Sequence, residues 1–306
     1  MNSAEYDCVI VGAGPAGLTA SMYLGRFRLS VAVIDSGHSR AASIPKSRNQ
    51  PGFPDGIGGA DLLSRMRLHA RRYGAEVHDG TVTGLSNAAG GFRARTADGK
   101  EFQSETLLLA TGVANRRPRM PDDLHDQAVA RGLIRYCPVC DGYEITDLPI
   151  AVIGTGEHGI QEATFLRAYT SEVTLIAPDT AHTFTTEQRR HLAESGIRVR
   201  NGPYSEFRLH EDAIEIYLPE ESLRFASIYP ALGSDIHSTL AADLGAAVSN
   251  EGCLQVDKHQ RTSVPGLYAA GDVVLGLDQI CHATGEGAVA ATTIRNDLAV
   301  IRERLR

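Results

Sequence analysis

Residues Tyr6 to Arg26 read YDCVIVGAGPAGLTASMYLGR. Cys8 to Val11 is an unbroken apolar run that includes β-branched residues, the pattern of a buried parallel strand. Gly12, Gly14 and Gly17 then spell G-x-G-x-x-G, with Pro15 and Ala16 before the last glycine and a helical segment after it. Gly12 permits a tight turn, Gly14 lets bare backbone approach a pyrophosphate, and Gly17 lets the helix pack against the strand. Free N–H groups and the helix dipole favour an anion at such a helix start. The next strand, SVAVID, ends in Asp35, which lies 35 − 14 = 21 residues past Gly14. That spacing suits a carboxylate that accepts from a ribose hydroxyl. Strand, turn, helix and acid together predict a dinucleotide-binding α/β unit.

The pattern occurs twice. LPIAVIGTGEHGIQEATFLRAY, from Leu148 to Tyr169, repeats strand, glycine turn and helix, with Gly154, Gly156 and Gly159 in the same frame. The predicted fold class is α/β: two Rossmann-like dinucleotide-binding domains, the second inserted in the first. Residues 1–114 and 245–306 form the split first domain, and 115–244 form the insert. Hinges are expected at GVANRRP and after PALGSD.

The chain has 306 residues, 42% hydrophobic and 22% charged, with a net charge of −7 and no long basic run, which argues against broad nucleic-acid binding. The N-terminal MNSAEYDCVIVGAG has no signal-peptide pattern, and no apolar run reaches the roughly 20 residues a membrane helix needs. A cytoplasmic protein without a membrane segment is expected. Of five cysteines, only Cys137 and Cys140 are close in sequence, in YCPVCDGYE. The reducing cytoplasm disfavours a structural staple, and the lack of a second C-x-x-C disfavours a zinc site. No metal is expected. A C-x-x-C near a helix start instead lowers thiol pKa from ~8.5 toward neutrality and makes thiolate available.

Three further stretches carry a family resemblance. ETLLLATGVANRRP (Glu105 to Pro118) is a strand ending in Ala-Thr-Gly, and VPGLYAAGDVV (Val264 to Val274) runs into Gly271-Asp272. NQPGFPDGIGGADLL (Asn49 to Leu63) is similar to an N-x-P-G-F-P segment beside a flavin. With the N-terminal glycine turn and Cys137-Pro138-Val139-Cys140-Asp141-Gly142, the chain resembles the low-molecular-weight thioredoxin reductases over nearly its whole length. The resemblance implies a homodimeric, FAD-dependent disulfide reductase whose acceptor is a thioredoxin-like protein or another small disulfide or dithiol. It implies that Gly12, Gly14, Pro15, Ala16, Gly17, Asp35, Asn49, Val82, Thr111, Gly112, Gly271, Asp272, Gln279 and Ile280 line the FAD site. Gln279 and Ile280 would lie near the isoalloxazine. Cys140 would be the flavin-facing sulfur, Cys137 the interchange sulfur and Asp141 the acid that manages the proton. His38 and Arg40 would lie toward the FAD phosphate or adenine, Cys8 in the core, and Cys281 as a small buried residue.

In that family the insert binds NADPH, here through Gly154, Gly156 and Gly159. The sequence departs from the pattern after the next strand, where Ala177-Pro178-Asp179 replaces the His-Arg-Arg that grips a 2′-phosphate. Arg189 and Arg190 follow, on an expected helix. NADPH use, NADH use and no nicotinamide use all stay open at this point. Two other functional readings also stand: a gliotoxin-type FAD dithiol oxidase that uses oxygen, which shares the C-P-x-C-x-G-Y-E frame, and a flavoprotein redox sensor.

Overall fold

The computed structural model describes residues 5–301. The opening run forms strand Tyr6–Val11, buried along its whole length. It pairs in parallel with Val31–Asp35 on one side and Glu101–Leu109 on the other. Glu76–Asp79 extends the sheet beyond Val31–Asp35, and Leu267–Ala269 adds in parallel to Glu101–Leu109. The hairpin Val82–Ala88 and Gly91–Thr96 completes a seven-stranded sheet.

Cys8 and Ile10 face one core, which holds Leu18 and Leu24 of helix Pro15–Arg26 and Ile294 and Leu298 of helix Ile280–Ile301. Val9 and Val11 face the other, with Leu254, Leu267 and Val273. A strand between two apolar layers needs apolar residues at every position, so the sequence does not alternate. Leu107, Leu108 and Leu109 are fully buried. Each contributes roughly 1.5–3 kcal/mol of burial, so the strand preceding Ala110-Thr111-Gly112 is held firmly.

The chain divides into two compact units. One holds the described residues of Met1–Ala42, Ile57–Ala114 and Ile236–Arg306; the other holds Ser43–Gly56 and Asn115–Asp235. Short strands Val113–Asn115 and Ser234–Ile236 pair where the chain passes between them. The return falls before helix Thr239–Ala242 because Ala241 is buried with Leu254 and Leu267 of the first unit.

The second unit has its own parallel sheet, in the order Arg198–Arg200, Val173–Ile176, Ile150–Gly154, Ser227–Ala231. Helix Gly156–Leu166 covers it through Ile160, Ala163 and Leu166, and helix Thr186–Glu194 starts with a Thr185–Gln188 capping box. An antiparallel sheet of Glu206–Leu209, Ile214–Tyr217 and Ser222–Phe225 supplies Phe207, Ile214 and Phe225 to its other core. The fold is thus α/β with two dinucleotide-binding-type units, the second inserted in the first.

Candidate active site

In the first unit the glycine turn is built by close backbone approach. Gly12 has φ +105°, and a Cβ there would lie 2.3 Å from the Ala110 carbonyl oxygen. A Cβ on Gly17 would lie 2.0 Å from the Gly12 carbonyl oxygen. Only glycine permits these approaches. Gly14 is the N-cap of helix Pro15–Arg26; no side chain caps the helix and no acid stands in its first turn. Its leading N–H groups are therefore presented to whatever anion the turn receives.

Asp35 is buried at the end of its strand and accepts from the Ala13 amide at 3.3 Å. The Arg67 guanidinium also pairs with it and reaches Asp79 at 3.6 Å. A carboxylate has about four acceptor sites, so these bonds orient Asp35 without exhausting it. Thr111 donates its hydroxyl to the His237 carbonyl at 2.7 Å, beside Gly112. Val82 is buried in its strand.

At the far end of the chain, the Gly271 amide donates to Glu286 at 2.7 Å, and Arg40 meets Asp272 at 2.8 Å and Asp278 at 3.1 Å. Burial raises the Asp272 carboxyl and Arg40 pulls it back. Helix Ile280–Ile301 begins directly after Gln279. Cys8 is buried in the core, and burial pushes its thiol up to about 12. Cys281, expected as a buried small residue, is exposed instead, because it lies in the first turn of its helix and not on the face that carries Ala290 and Ile294. Asn49 lies in Ser43–Gly56, which belongs to the second unit, and accepts from Ser47 at 3.1 Å.

In the second unit, Cys137 and Cys140 form a disulfide with Cα atoms 5.2 Å apart. Cys137 is the N-cap of the short helix Pro138–Asp141, and its Sγ accepts from the Cys140 amide at 3.1 Å. Pro138, at the first helical position, has no N–H to leave unpaired. A Cβ on Gly142 would lie 2.6 Å from the Tyr169 ring, so the Asp-Gly step lets that ring close over the helix end.

Asp141 is held from two sides. Arg135 donates to its Oδ2 and the Tyr229 hydroxyl to its Oδ1, both at 3.0 Å. Arg135 is itself fixed by Ser227 Oγ at 3.1 Å, and Tyr229 is fully buried in strand Ser227–Ala231. Burial raises the Asp141 carboxyl, Arg135 and Tyr229 lower it, and Glu144 raises it further. Glu162, on helix Gly156–Leu166, is pushed up to about 7 by burial first and by Asp141 second. Its Oε1 is buried without a hydrogen-bond partner.

The second glycine loop keeps its close approaches, with a Cβ on Gly154 falling 2.8 Å from the Ala231 carbonyl oxygen and one on Gly159 falling 3.0 Å from the Gly154 carbonyl carbon; Gly156 has φ +61°. Glu157 occupies the first turn of its helix and accepts from Gln161 and Gln188. After strand Val173–Ile176, Asp179 pairs with Arg119 at 2.9 Å, and Arg119 also donates to the Pro178 carbonyl. Arg189 and Arg190 lie on helix Thr186–Glu194.

Sequence reasoning missed Arg67, Arg135, Tyr229, Glu162 and Glu286. Only Glu162 had a local signal: it is an acid one residue before buried Ala163, on a helix whose inward face is otherwise Ile160, Ala163 and Leu166.

Two glycine-turn α/β units and a C-x-x-C disulfide define a nucleotide-dependent disulfide oxidoreductase. Residues 6–287 match the family described as pyridine nucleotide-disulphide oxidoreductase. The chain is 32% identical over 303 residues to the thioredoxin reductase of Mycoplasmopsis pulmonis, covering 95% of this chain and 97% of the relative. It is 30% identical over 304 residues to that of Aquifex aeolicus, covering 94% and 89%. Among solved structures it resembles HlmI, with a TM-score of 0.88 at 27% identity over 96% of this chain and 92% of that one. It also resembles the thioredoxin reductase of Streptococcus pyogenes, with a TM-score of 0.86 at 28% identity over 96% and 98%. The chain belongs to the pyridine nucleotide-disulphide oxidoreductase family, as a thioredoxin reductase-like flavin disulfide oxidoreductase.

Proposed function

We propose that this enzyme reduces a thioredoxin-like protein, or another accessible disulfide, through FAD and the Cys137–Cys140 pair. The observation that carries this reading is the disulfide itself, whose Cys137 N-caps the helix Pro138–Asp141 and which is followed directly by the Arg135–Asp141–Tyr229 cluster.

The residues of the first unit fit FAD. Gly12, Gly14, Pro15, Ala16 and Gly17 would receive its pyrophosphate, and Asp35, oriented by Ala13 and Arg67, would take a ribose hydroxyl. Val82, Thr111, Gly112, Gly271, Asp272, Gln279 and Ile280 are the further residues of this unit proposed for the site. When bound, FAD supplies a two-electron carrier. The protein's own part follows from thiol chemistry. In the reduced pair, the Cys137 thiolate attacks the acceptor disulfide and forms a mixed disulfide. Cys140 then attacks the Cys137 sulfur, restores their bond and releases the acceptor as a dithiol. Two electrons leave the pair for each disulfide opened.

For the donor, Gly154, Gly156 and Gly159 retain a dinucleotide cradle, but Ala177-Pro178-Asp179 offers no 2′-phosphate clamp. Arg119, which reaches this segment, is paired with Asp179. NADPH therefore has no advantage over NADH, and a donor other than a nicotinamide is compatible with the site.

The Cys137-Pro138 and Gly142-Tyr143-Glu144 frame favours a second reading, a dithiol oxidase that closes a small dithiol and passes two electrons to oxygen as hydrogen peroxide. Asp141 departs from the histidine of that group. The proposed setting is cytoplasmic and the proposed assembly a homodimer; among the described residues no helix is long and apolar enough to cross a membrane.

Stopped-flow spectroscopy under anaerobic conditions tests the reading. The yellow flavin should bleach with a suitable donor and recover its colour on addition of oxidised thioredoxin. Recovery only with oxygen, and turnover with small dithiols, would instead establish the oxidase.

A further inference from the structure

Arg135 reaches Asp141 from a backbone built to deliver it. The Arg135 amide donates to the Ile228 carbonyl at 2.9 Å, and Ile134 bridges Ile228, so this segment runs beside strand Ser227–Ala231. The guanidinium is then fixed on both edges. Its Nε donates to Ser227 Oγ at 3.1 Å, and that hydroxyl donates to the Gly132 carbonyl at 2.6 Å. Gly132 has φ +70°, and a Cβ there would lie 3.0 Å from Arg135 Nη2, so the turn leaves the room the guanidinium needs. Arg135 Nη1 donates to Asp141 Oδ2, and Tyr229, from the same strand, donates to Oδ1, each at 3.0 Å. Both carboxyl oxygens of the acid that directly follows Cys140 are thereby oriented. The Asp141 amide, which donates to the Cys137 carbonyl at 3.2 Å, ties the same residue to the other cysteine.

The neighbouring titratable groups, among the described residues, are acids and phenols. Glu144 acts on Asp141, and its own cation, Arg48, stands 3.7 Å from it. Glu162, on helix Gly156–Leu166, is a second acid that interacts with Asp141. Tyr169 lies against Gly142 with its ring, and Tyr136 meets His125 at 2.7 Å through its hydroxyl. Burial raises the Asp141 carboxyl; Arg135 first, and Tyr229 after it, pull it back. An arginine stays charged at every pH at which a thiol reacts, so its pull is constant.

We propose that Arg135 is a positioning residue of the Cys137–Cys140 site: with Tyr229 it orients the Asp141 carboxyl and sets the pH range over which that carboxyl exchanges a proton with the pair. The inference rests on the redox role of the disulfide proposed above. Reduction by the monoanion of a dithiol shows the step. Its thiolate attacks one sulfur of the pair, the Cys137–Cys140 bond breaks, and the sulfur released takes a proton from Asp141. The second thiol of the reductant returns a proton to Asp141, closes the reductant's own disulfide and releases the other cysteine as thiolate. Two electrons pass to the pair, and Asp141 ends as it began.

The test is the initial anaerobic rate at which dithiothreitol reduces the Cys137–Cys140 bond in the full-length holoprotein, between about pH 4 and 9. Samples are quenched in acid, denatured and alkylated, thiols are quantified by peptide mass, and the rate is divided by the concentration of dithiothreitol thiolate. In the wild type this quotient should be flat while Asp141 holds its proton and fall about tenfold per pH unit once it does not. Asp141→Asn should show no break. Arg135→Gln, which removes the charge, should displace the break upward by about one pH unit or more. Arg135→Lys, which restores the charge, should bring it back toward the wild-type position. Tyr229→Phe should displace it upward by less, and keeps the proposal testable if the glutamine variant fails to fold. A break at the wild-type pH in Arg135→Gln or in Tyr229→Phe, or one moved as far by lysine as by glutamine, would overturn the proposal. A wild-type profile without a break, or a break that survives in Asp141→Asn, would assign the proton to another group and overturn it too. A wild-type disulfide that does not react at any pH would refute the redox role instead.

Discussion

The backbone amide of Cys140 donates to the Sγ of Cys137 at 3.1 Å. The bond is directional: it stabilises negative charge on one sulfur of the pair. Once the disulfide opens, Cys137 is the sulfur that keeps this donor. In the reduced protein at neutral pH, Cys137 should be alkylated by iodoacetamide several-fold faster than Cys140, because thiolate is the reactive form. Mass spectrometry of the two half-labelled products reads this directly. Faster labelling of Cys140 would reverse the two assigned roles.

Glu162 should leave a mark on the pH dependence of stability. Its carboxyl is raised from an ordinary 4.5 to about 7 in the folded protein. The folded state therefore binds this proton more tightly than the unfolded chain does. Its contribution is most favourable below about 4.5 and is lost progressively as pH rises to about 7. The whole window corresponds to on the order of 3 kcal/mol. Glu162→Gln, which cannot ionise, should melt a few degrees above the wild type at pH 8 and close to it near pH 4.5. Identical melting curves at every pH would mean that Glu162 is not held protonated by the fold.

Gly17→Ala tests the first unit. The added Cβ would lie 2.0 Å from the Gly12 carbonyl oxygen, which is backbone and cannot rotate away. The helix must then shift off the strand and carry its N-terminal amides from the turn. The variant should purify colourless, or lose its flavin at least about tenfold more readily, the equivalent of roughly 1.4 kcal/mol. A variant that stays yellow with unchanged flavin affinity would place the pyrophosphate elsewhere.

Donor preference is a separate matter. With Ala177-Pro178-Asp179 in place of an arginine clamp, and Arg119 held by Asp179, nothing in this segment rewards a 2′-phosphate. Anaerobic titrations should show NADPH bleaching the flavin no more than about tenfold more readily than NADH. A preference of about 100-fold or more for NADPH would require a phosphate-binding group outside this segment.

Much of the fold was legible because its signals are local. The run Cys8 to Val11 and the glycines after it encode strand, turn and helix within a dozen residues, and Leu148 to Tyr169 repeats them. The cysteine pair was legible for the same reason. The partners that hold Asp141 were not. Asp141 meets Tyr229 across 88 residues of sequence, and no periodicity marks that contact. Arg135 looks like any surface arginine until Ser227 and Asp141 are seen to share it. The exposure of Cys281 was misjudged because it falls on the side of its helix away from Ala290 and Ile294, which the small-residue pattern alone did not assign. The antiparallel sheet of residues 206–225 lacks a glycine signature, and its strands of four residues carry little pattern of their own.

The central claim is that electrons reach the acceptor through the Cys137–Cys140 pair. Cys137→Ser tests it most directly, by anaerobic turnover with oxidised thioredoxin and parallel measurement of bound flavin. The account predicts full flavin content, bleaching by the donor as in the wild type, and a loss of thioredoxin reduction of at least about 1,000-fold. Thioredoxin reduction at the wild-type rate in that variant would contradict it.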